Sequence, residues 1–206
     1  VTKAAAYQAK IGDITFWVSN EAVENEIKRL CNRFLSNAAQ NTFLNSLNQQ
    51  SSKDNPLTTE KVRSCYADAR SSDYLKLGDY ELYFDNVDQG NNARDLYNSG
   101  FLTSKGQNAF AEQLANMQSK GGSIDVEKAY NLARIEDGIA FIEGRGELYF
   151  EIKAGREAIK YYNELGGRDS SLALKFANSL YDIASCKPKY GPNNPLTSND
   201  VENAKP

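Results

Sequence analysis

The chain has 206 residues, with 24 basic against 27 acidic side chains and no histidine. The absence of histidine excludes the Ser-His-Asp triad, the Cys-His dyad and the commonest zinc ligand. A net charge of −3 disfavours binding to nucleic acid, and a hydrophobic fraction of 40% is typical of a globular protein with a sizeable core.

No run of eighteen apolar residues occurs, so the sequence predicts no membrane-spanning helix. The chain begins at Val1 without a charged and apolar leader, and we therefore expect a mature form whose targeting segment has been removed. The three cysteines cannot all pair with one another, so at least one thiol is free or modified.

Apolar residues recur at helical spacing along the chain. Val23, Ile27, Leu30 and Phe34 follow one another at steps of four, three and four, behind Asn20 as a helix cap. The same steps predict helices further along, at Phe110, Leu114 and Met117, and at Ala154, Ala158, Tyr161 and Leu165. Clusters of Ser, Asn, Gly and Pro predict loops at 49–56, 89–92, 119–123 and 187–195.

The sequence also repeats itself at an offset of about 66 residues. The segment from Phe34 to Leu47 matches the segment from Phe101 to Leu114 without a gap. A weaker third copy places Phe176 and Leu180 at the positions of Phe110 and Leu114. Further blocks keep the same order: Gly-Asp-aromatic turns at 12–18, 78–84 and 144–150, and helix starts at 55–65, 125–129 and 194–204. We therefore predict a mainly α fold, a tandem array of about three helical repeats with bounds 1–77, 78–143 and 144–206.

The repeats allow the cysteines to be compared with their counterparts. Cys65 stands where the other repeats have alanine, Cys31 stands near a tyrosine position, and Cys186 stands near serine positions. A cysteine that the fold needs should recur in each copy. These three are interpreted as additions to a scaffold, with a buried, merely packing cysteine as the alternative at each site.

The surroundings of Cys65 suggest a binding site. On a helix, Asp68 lies one turn after the cysteine, and Arg63 and Arg70 flank it. Nearby arginines favour the thiolate, and the carboxylate can accept hydrogen bonds from a polar ligand. The alternative is an exposed helix with mixed charges.

The pattern of Cys65, Asp68, Tyr74 and Leu75 resembles the chromophore site of phycobiliproteins. There a cysteine carries a linear tetrapyrrole through a thioether, an aspartate binds the pyrrole nitrogens and basic residues hold the propionates. The chain departs from that family at Ala67, where the family has an arginine directly before the aspartate, and its repeats are unlike a globin-type subunit.

The tandem helical repeats and scattered cysteines are similar to the γ subunit, or chromophore-bearing rod linker, of red algal phycoerythrin. This resemblance implies a non-enzymatic light-harvesting linker that carries phycoerythrobilin or phycourobilin, thioether-linked to cysteine. It implies phycoerythrin α/β hexamers and other phycobilisome linkers as partners, and a place on the stromal face of the thylakoid in the chloroplast. The implied pigment-binding residues are Cys31, Arg63, Cys65, Asp68, Arg70 and Cys186. Rod linkers tend to be basic, whereas this chain has a slight acidic excess.

Three alternatives stay open. The first is a helical-repeat interaction scaffold without pigment, since 66 residues is close to two helix hairpins of about 33 residues. The second is a disulfide between Cys31 and Cys65, which requires an oxidising compartment. The third is a glycosidase that uses Glu81 and Glu147, but these two are repeat equivalents, and that chemistry needs an acid and a base in different surroundings.

Overall fold

The computed structural model of the protein describes residues 5–206, and in this part of the chain the fold is mainly helical, as the sequence predicts. The strands are β1 Tyr7–Ile11, β2 Ile14–Val18, β3 Leu75–Leu77 and β4 Tyr80–Leu82. The helices are α1 Glu21–Cys31, α2 Asn37–Gln49, α3 Thr59–Arg70, α4 Val87–Ser99, α5 Ser104–Ser119, α6 Val126–Arg134, α7 Ile152–Glu164, α8 Ser171–Cys186 and α9 Ser198–Ala204.

The chain divides into two compact units. The first extends to Lys76 and also takes Glu81–Asn91, and the second consists of Leu77–Tyr80 and Asn92–Pro206. Each unit has its own core of buried apolar side chains.

In the first compact unit, a hairpin leads into three helices. β1 and β2 pair antiparallel, with Ala9 opposite Phe16, and β2 buries alternate residues, Phe16 and Val18. Val18 also forms a parallel bridge with Leu57, the residue just before the cap of α3. The hairpin thereby covers the core that α1, α2 and α3 enclose.

The second compact unit repeats this arrangement at its C-terminal end. Ile139 bridges Leu148 antiparallel across a turn, and Phe150 forms a parallel bridge with Leu196, just before the cap of α9. The core here includes residues of α7, α8 and α9. The Asn- and Pro-rich composition after Pro188 predicts an extended or mobile tail. In the structure this segment contains the bridge to Phe150 and then α9.

The predicted start of α1 is confirmed. The Asn20 side chain accepts a hydrogen bond from the Val23 amide at 3.1 Å, and Val23, Ile27 and Leu30 are buried. Phe34 lies beyond the helix, partly buried against the same core. The predicted helices around Phe110 and Ala158 are confirmed as α5 and α7.

The predicted loop at 89–92 is wrong, because these residues lie inside α4. Gly90 is typical of a loop, but here it allows close packing inside a helix. A Cβ at this position would lie 2.5 Å from a methyl carbon of Leu35. A Cβ on Gly155 in α7 would likewise lie 2.4 Å from a methyl carbon of Leu102. In both helices the glycine makes room for a leucine from the link before α2 or α5.

A hydrogen bond ties β1 to α1 and predicts an unusual titration. The Tyr7 hydroxyl donates to Glu24 at 2.6 Å, and this bond, with the nearby carboxylate charges, raises the pKa of Tyr7 from 10.0 to about 12. Because the folded-state pKa is raised, the bond contributes to stability below pH 10 and is lost as the pH rises through about 12. A titration of phenolate absorbance should show an ionisation near pH 12 that is missing from Tyr7→Phe. In Glu24→Gln the pKa should fall towards 10, and a Tyr7 that titrates near 10 in the unaltered protein would contradict this contact.

Candidate functional site

A buried carboxylate holds together the second compact unit around α5 and α6. Asp137 is 1% exposed and accepts hydrogen bonds from the backbone amides of Leu102 and Thr103, at 2.8 and 2.7 Å. The Thr103 hydroxyl donates to it at 2.8 Å, and the Arg134 guanidinium forms an ion pair with it. The Thr103 oxygen in turn accepts from the Gly106 amide and so caps α5.

The first compact unit contains the same arrangement around Asp73, which is also 1% exposed. Its carboxylate accepts from the amides of Leu35 and Ser36, both at 2.8 Å, from the Ser36 hydroxyl at 2.8 Å, and from Arg70. The Ser36 oxygen caps α2 through the Ala39 amide. We call these two clusters the aspartate junctions.

Each aspartate junction extends to the next extended segment through its arginine. A second guanidinium nitrogen of Arg70 donates to the Phe84 carbonyl, and the corresponding nitrogen of Arg134 donates to the Phe150 carbonyl. The arginine therefore links the end of its own helix, α3 or α6, to a backbone carbonyl 14 or 16 residues further along the chain. Each carboxylate accepts hydrogen bonds from four donor groups within the described residues, so each is suited to holding the backbone in place.

Two aromatic triads accompany the aspartate junctions. Phe34, Phe43 and Tyr66 meet with ring centroids 5.1 to 5.9 Å apart. The equivalent rings in the second compact unit meet at 5.3 to 6.3 Å, with nearly the same tilts. They are Phe101, Phe110 and Tyr130. The hydroxyl of each tyrosine donates to the backbone carbonyl just before the triad's first phenylalanine, at 2.9 and 3.1 Å.

The structure places the three cysteines in different surroundings, and all three are free thiols. Cys65 is 1% exposed in the core of the first compact unit, within 3.5 Å of the Ser46 hydroxyl. Cys31 is buried in the same core, and this burial raises the pKa of its thiol, although the Gln40 amide opposes the shift. Cys186 is exposed at the end of α8.

The charged residues predicted around Cys65 have other partners. Arg63 is exposed and pairs with Glu26 at 3.2 Å, and Arg70 belongs to the Asp73 junction. Asp68 is exposed, whereas Cys65 points into the core. The structure therefore brings none of these three charges to the cysteine through a hydrogen bond or ion pair, and their role in pigment binding stays a prediction.

Cys186 borders a groove on the second compact unit. The groove has a volume of about 450 Å³, and its other lining residues are Asp182, Ile183, Lys187 and Asp200. Lys187 pairs with Asp200 at 3.0 Å. Burial raises the pKa of Asp200, but hydrogen bonds from Thr197 and Lys187 outweigh this effect and leave that pKa below its usual value.

The exposures predict unequal thiol reactivity. In protein produced without pigment, Cys186 should react with a disulfide reagent about a hundredfold faster than Cys31 and Cys65, because the two buried thiols require local opening. Timed labelling of the folded protein, with a total thiol count in denaturant, measures this. Cys186→Ser should remove the fast phase alone, and three equal rates would contradict the described burial.

Sequence reasoning missed the aspartate junctions, although a signal was present. Arg70-x-x-Asp73 and Arg134-x-x-Asp137 lie at a constant offset of 64 residues, together with Tyr66 and Tyr130. A recurring charged pair three residues apart, directly after a helix, was a better indication of a shared structural role than the charges beside Cys65.

The described part of the chain contains no cluster of three or more cysteine, aspartate or glutamate side chains able to hold a metal ion. Within residues 5–206, no helix has the length and apolar character needed to cross a membrane. Comparison with protein-family models, curated proteins and solved structures finds no match to this chain.

Proposed function

We propose that the protein is a non-enzymatic scaffold made of three tandem helical repeats, with bounds 1–77, 78–143 and 144–206, and that it serves as a pigment-bearing light-harvesting linker. The main support for the scaffold is that the aspartate junction occurs twice, at Asp73 and at Asp137. In both, two consecutive backbone amides donate to the carboxylate, and the paired arginine also donates to a carbonyl further along the chain. A buried ion pair is stable only where further hydrogen bonds satisfy both charged groups, and the two aspartate junctions meet this requirement with matched partners.

Further equivalences support the three repeats. The middle helix of each begins behind a capping hydroxyl, at Ser36, Thr103 and Ser170, spaced by 67 residues. The last helix of each begins behind Thr58, Asp125 and Thr197. Nine helices in the described residues then correspond to three groups of three.

The third repeat differs from the first two, as a repeat at the end of an array is expected to. Leu35 and Leu102 pack against glycines of the following helix group, whereas the third repeat has Asp169 at that position. The Ser170 amide there donates to the Gly167 carbonyl and not to a buried carboxylate. Atypical terminal repeats are a general feature of tandem arrays, since the outer face has no neighbour to cover.

The pigment part of the proposal rests on the resemblance described above and on Cys186. This thiol is exposed and borders a groove with a cation and two carboxylates, groups that suit a tetrapyrrole with propionates and pyrrole nitrogens. Phycoerythrobilin or phycourobilin is the proposed pigment, and the partners are phycoerythrin α/β hexamers and phycobilisome linkers at the chloroplast thylakoid. Attachment at Cys65 or Cys31 requires the pigment to displace side chains that now fill the core of the first compact unit.

Denaturing electrophoresis of the protein from its natural source tests the pigment. A covalent bilin stays on the polypeptide and fluoresces with zinc, so the proposal predicts a fluorescent band and a bilin on the peptide that contains Cys186. A colourless band with three titratable thiols would overturn it. A bilin on Cys65 or Cys31 alone would retain the linker and move the attachment site away from Cys186.

A scaffold without pigment is the second candidate, and the burial of Cys31 and Cys65 favours it. Buried cysteines behave as small apolar residues and need no modification. The electrophoresis above separates the two candidates, because only the linker carries a chromophore.

A further inference from the structure

Helix α6 and the residue that caps its C-terminus expose two large apolar side chains that α3 and its C-cap do not have. Leu132 is 39% exposed and Ile135 is 48% exposed. At the offset of 64 residues that aligns the two helices, the corresponding residues are Asp68 in α3 and Ser71, which caps it. Since α3 folds in its three-helix group with polar residues at these positions, the apolar pair of α6 is not required to build the group.

The two side chains line a groove of about 380 Å³ on the second compact unit. The groove also includes the exposed amides of Asn131 on α6 and of Asn193 in the loop before α9. Apolar side chains with amide groups beside them can bury a partner's side chain and bind its polypeptide backbone.

The charges of the groove indicate which partner fits. Asp125, Glu127 and Lys128 line it, so carboxylates exceed cations by one. Asp125 caps α6 and carries the excess negative charge, since Glu127 and Lys128 are both without an ion pair within the described residues. The residue of α3 that corresponds to Glu127 is Arg63, so the acidic character, like the apolar pair, is peculiar to α6.

We propose that this α6 groove is a docking site for a partner segment that presents a large apolar side chain flanked by lysine or arginine. The apolar side chain packs on Leu132 and Ile135, the basic residue faces Glu127, and the two asparagines bind the backbone of the segment. Charge complementarity of this kind selects the partner and speeds association more than it adds affinity. The docking site does not depend on a pigment.

Two labelled synthetic peptides, with the same leucine anchors but with flanking lysines in one and flanking glutamates in the other, test the inference by fluorescence anisotropy. The lysine peptide should bind the full chain about tenfold more tightly than the glutamate peptide. Equal affinities, or no binding of the lysine peptide at millimolar concentration, would overturn the proposal.

Variants taken from α3 provide matched controls. L132D/I135S places the residues of α3 into α6 and should weaken the lysine peptide about tenfold or more, with the helical circular dichroism unchanged. E127R keeps the apolar pair and should reverse the preference, so that the glutamate peptide binds more tightly than the lysine peptide. This single variant tests the proposal even if the double variant does not fold. L172D changes an exposed leucine of α8 and should have no effect. Unchanged binding by L132D/I135S, or an unchanged preference in E127R, would contradict the assignment.

Discussion

Replacement of Asp137 by asparagine is expected to lower the free energy of unfolding by about 3 kcal/mol. Asparagine has nearly the same shape, but it offers one acceptor oxygen where the carboxylate offers two, and its amide group would face the N–H donors of Leu102 and Thr103. The Arg134 guanidinium would also lose its counter-charge in a mostly buried position. Urea denaturation, followed by circular dichroism, measures the change.

Two matched variants complete this experiment. Asp73→Asn should cost a similar amount, because Asp73 has equivalent partners in the first compact unit. Asp169→Asn changes an exposed aspartate and should cost less than about 0.5 kcal/mol. If Asp137→Asn and Asp169→Asn were equally mild, the aspartate junction would not be a determinant of stability.

Replacement of Phe110 by alanine is expected to cost about 4 kcal/mol. Phe110 is 0% exposed and meets both Phe101 and Tyr130, so the change leaves a cavity and removes two ring contacts. The same denaturation measurement applies. Phe43→Ala removes the equivalent ring in the first compact unit and should have a similar effect.

The partly exposed member of the triad is the control for this prediction. Phe101→Ala should cost clearly less than Phe110→Ala, since Phe101 retains contact with solvent and the space it leaves can fill with water. A larger loss in Phe101→Ala than in Phe110→Ala would mean that the triad is not centred on the buried ring.

The positions of the helices could be predicted from local patterns, because caps and apolar spacing act over a single turn. Asn20 with Val23, Ile27 and Leu30 defines α1 in this way. Gly90 shows the limit of such patterns. Glycine is common in loops, but here a contact with Leu35, which is distant in sequence, decides its place inside a helix.

The candidate site was harder to predict than the fold. Charge beside Cys65 suggested a reactive thiol, yet Arg63 and Arg70 pair with Glu26 and Asp73 instead. Side chains of α3 divide between solvent and core according to how the helix packs, and spacing alone does not give the rotation of the helix about its axis. The burial of Cys65 follows from that packing and not from its sequence neighbours.

The most direct test of the tandem array is amide hydrogen exchange at five backbone positions, measured by NMR. We predict slow exchange for the amides held by the buried carboxylates, with similar protection in the two pairs, Leu35 with Ser36 and Leu102 with Thr103. The Ser170 amide of the third repeat, which donates to a nearby carbonyl, should exchange faster than these four. Asp137→Asn should abolish protection at Leu102 and Thr103 and leave Leu35 and Ser36 slow. Fast exchange at either pair in the unaltered protein, or protection of Ser170 equal to theirs, would contradict an array built on two equivalent aspartate junctions and a distinct terminal repeat.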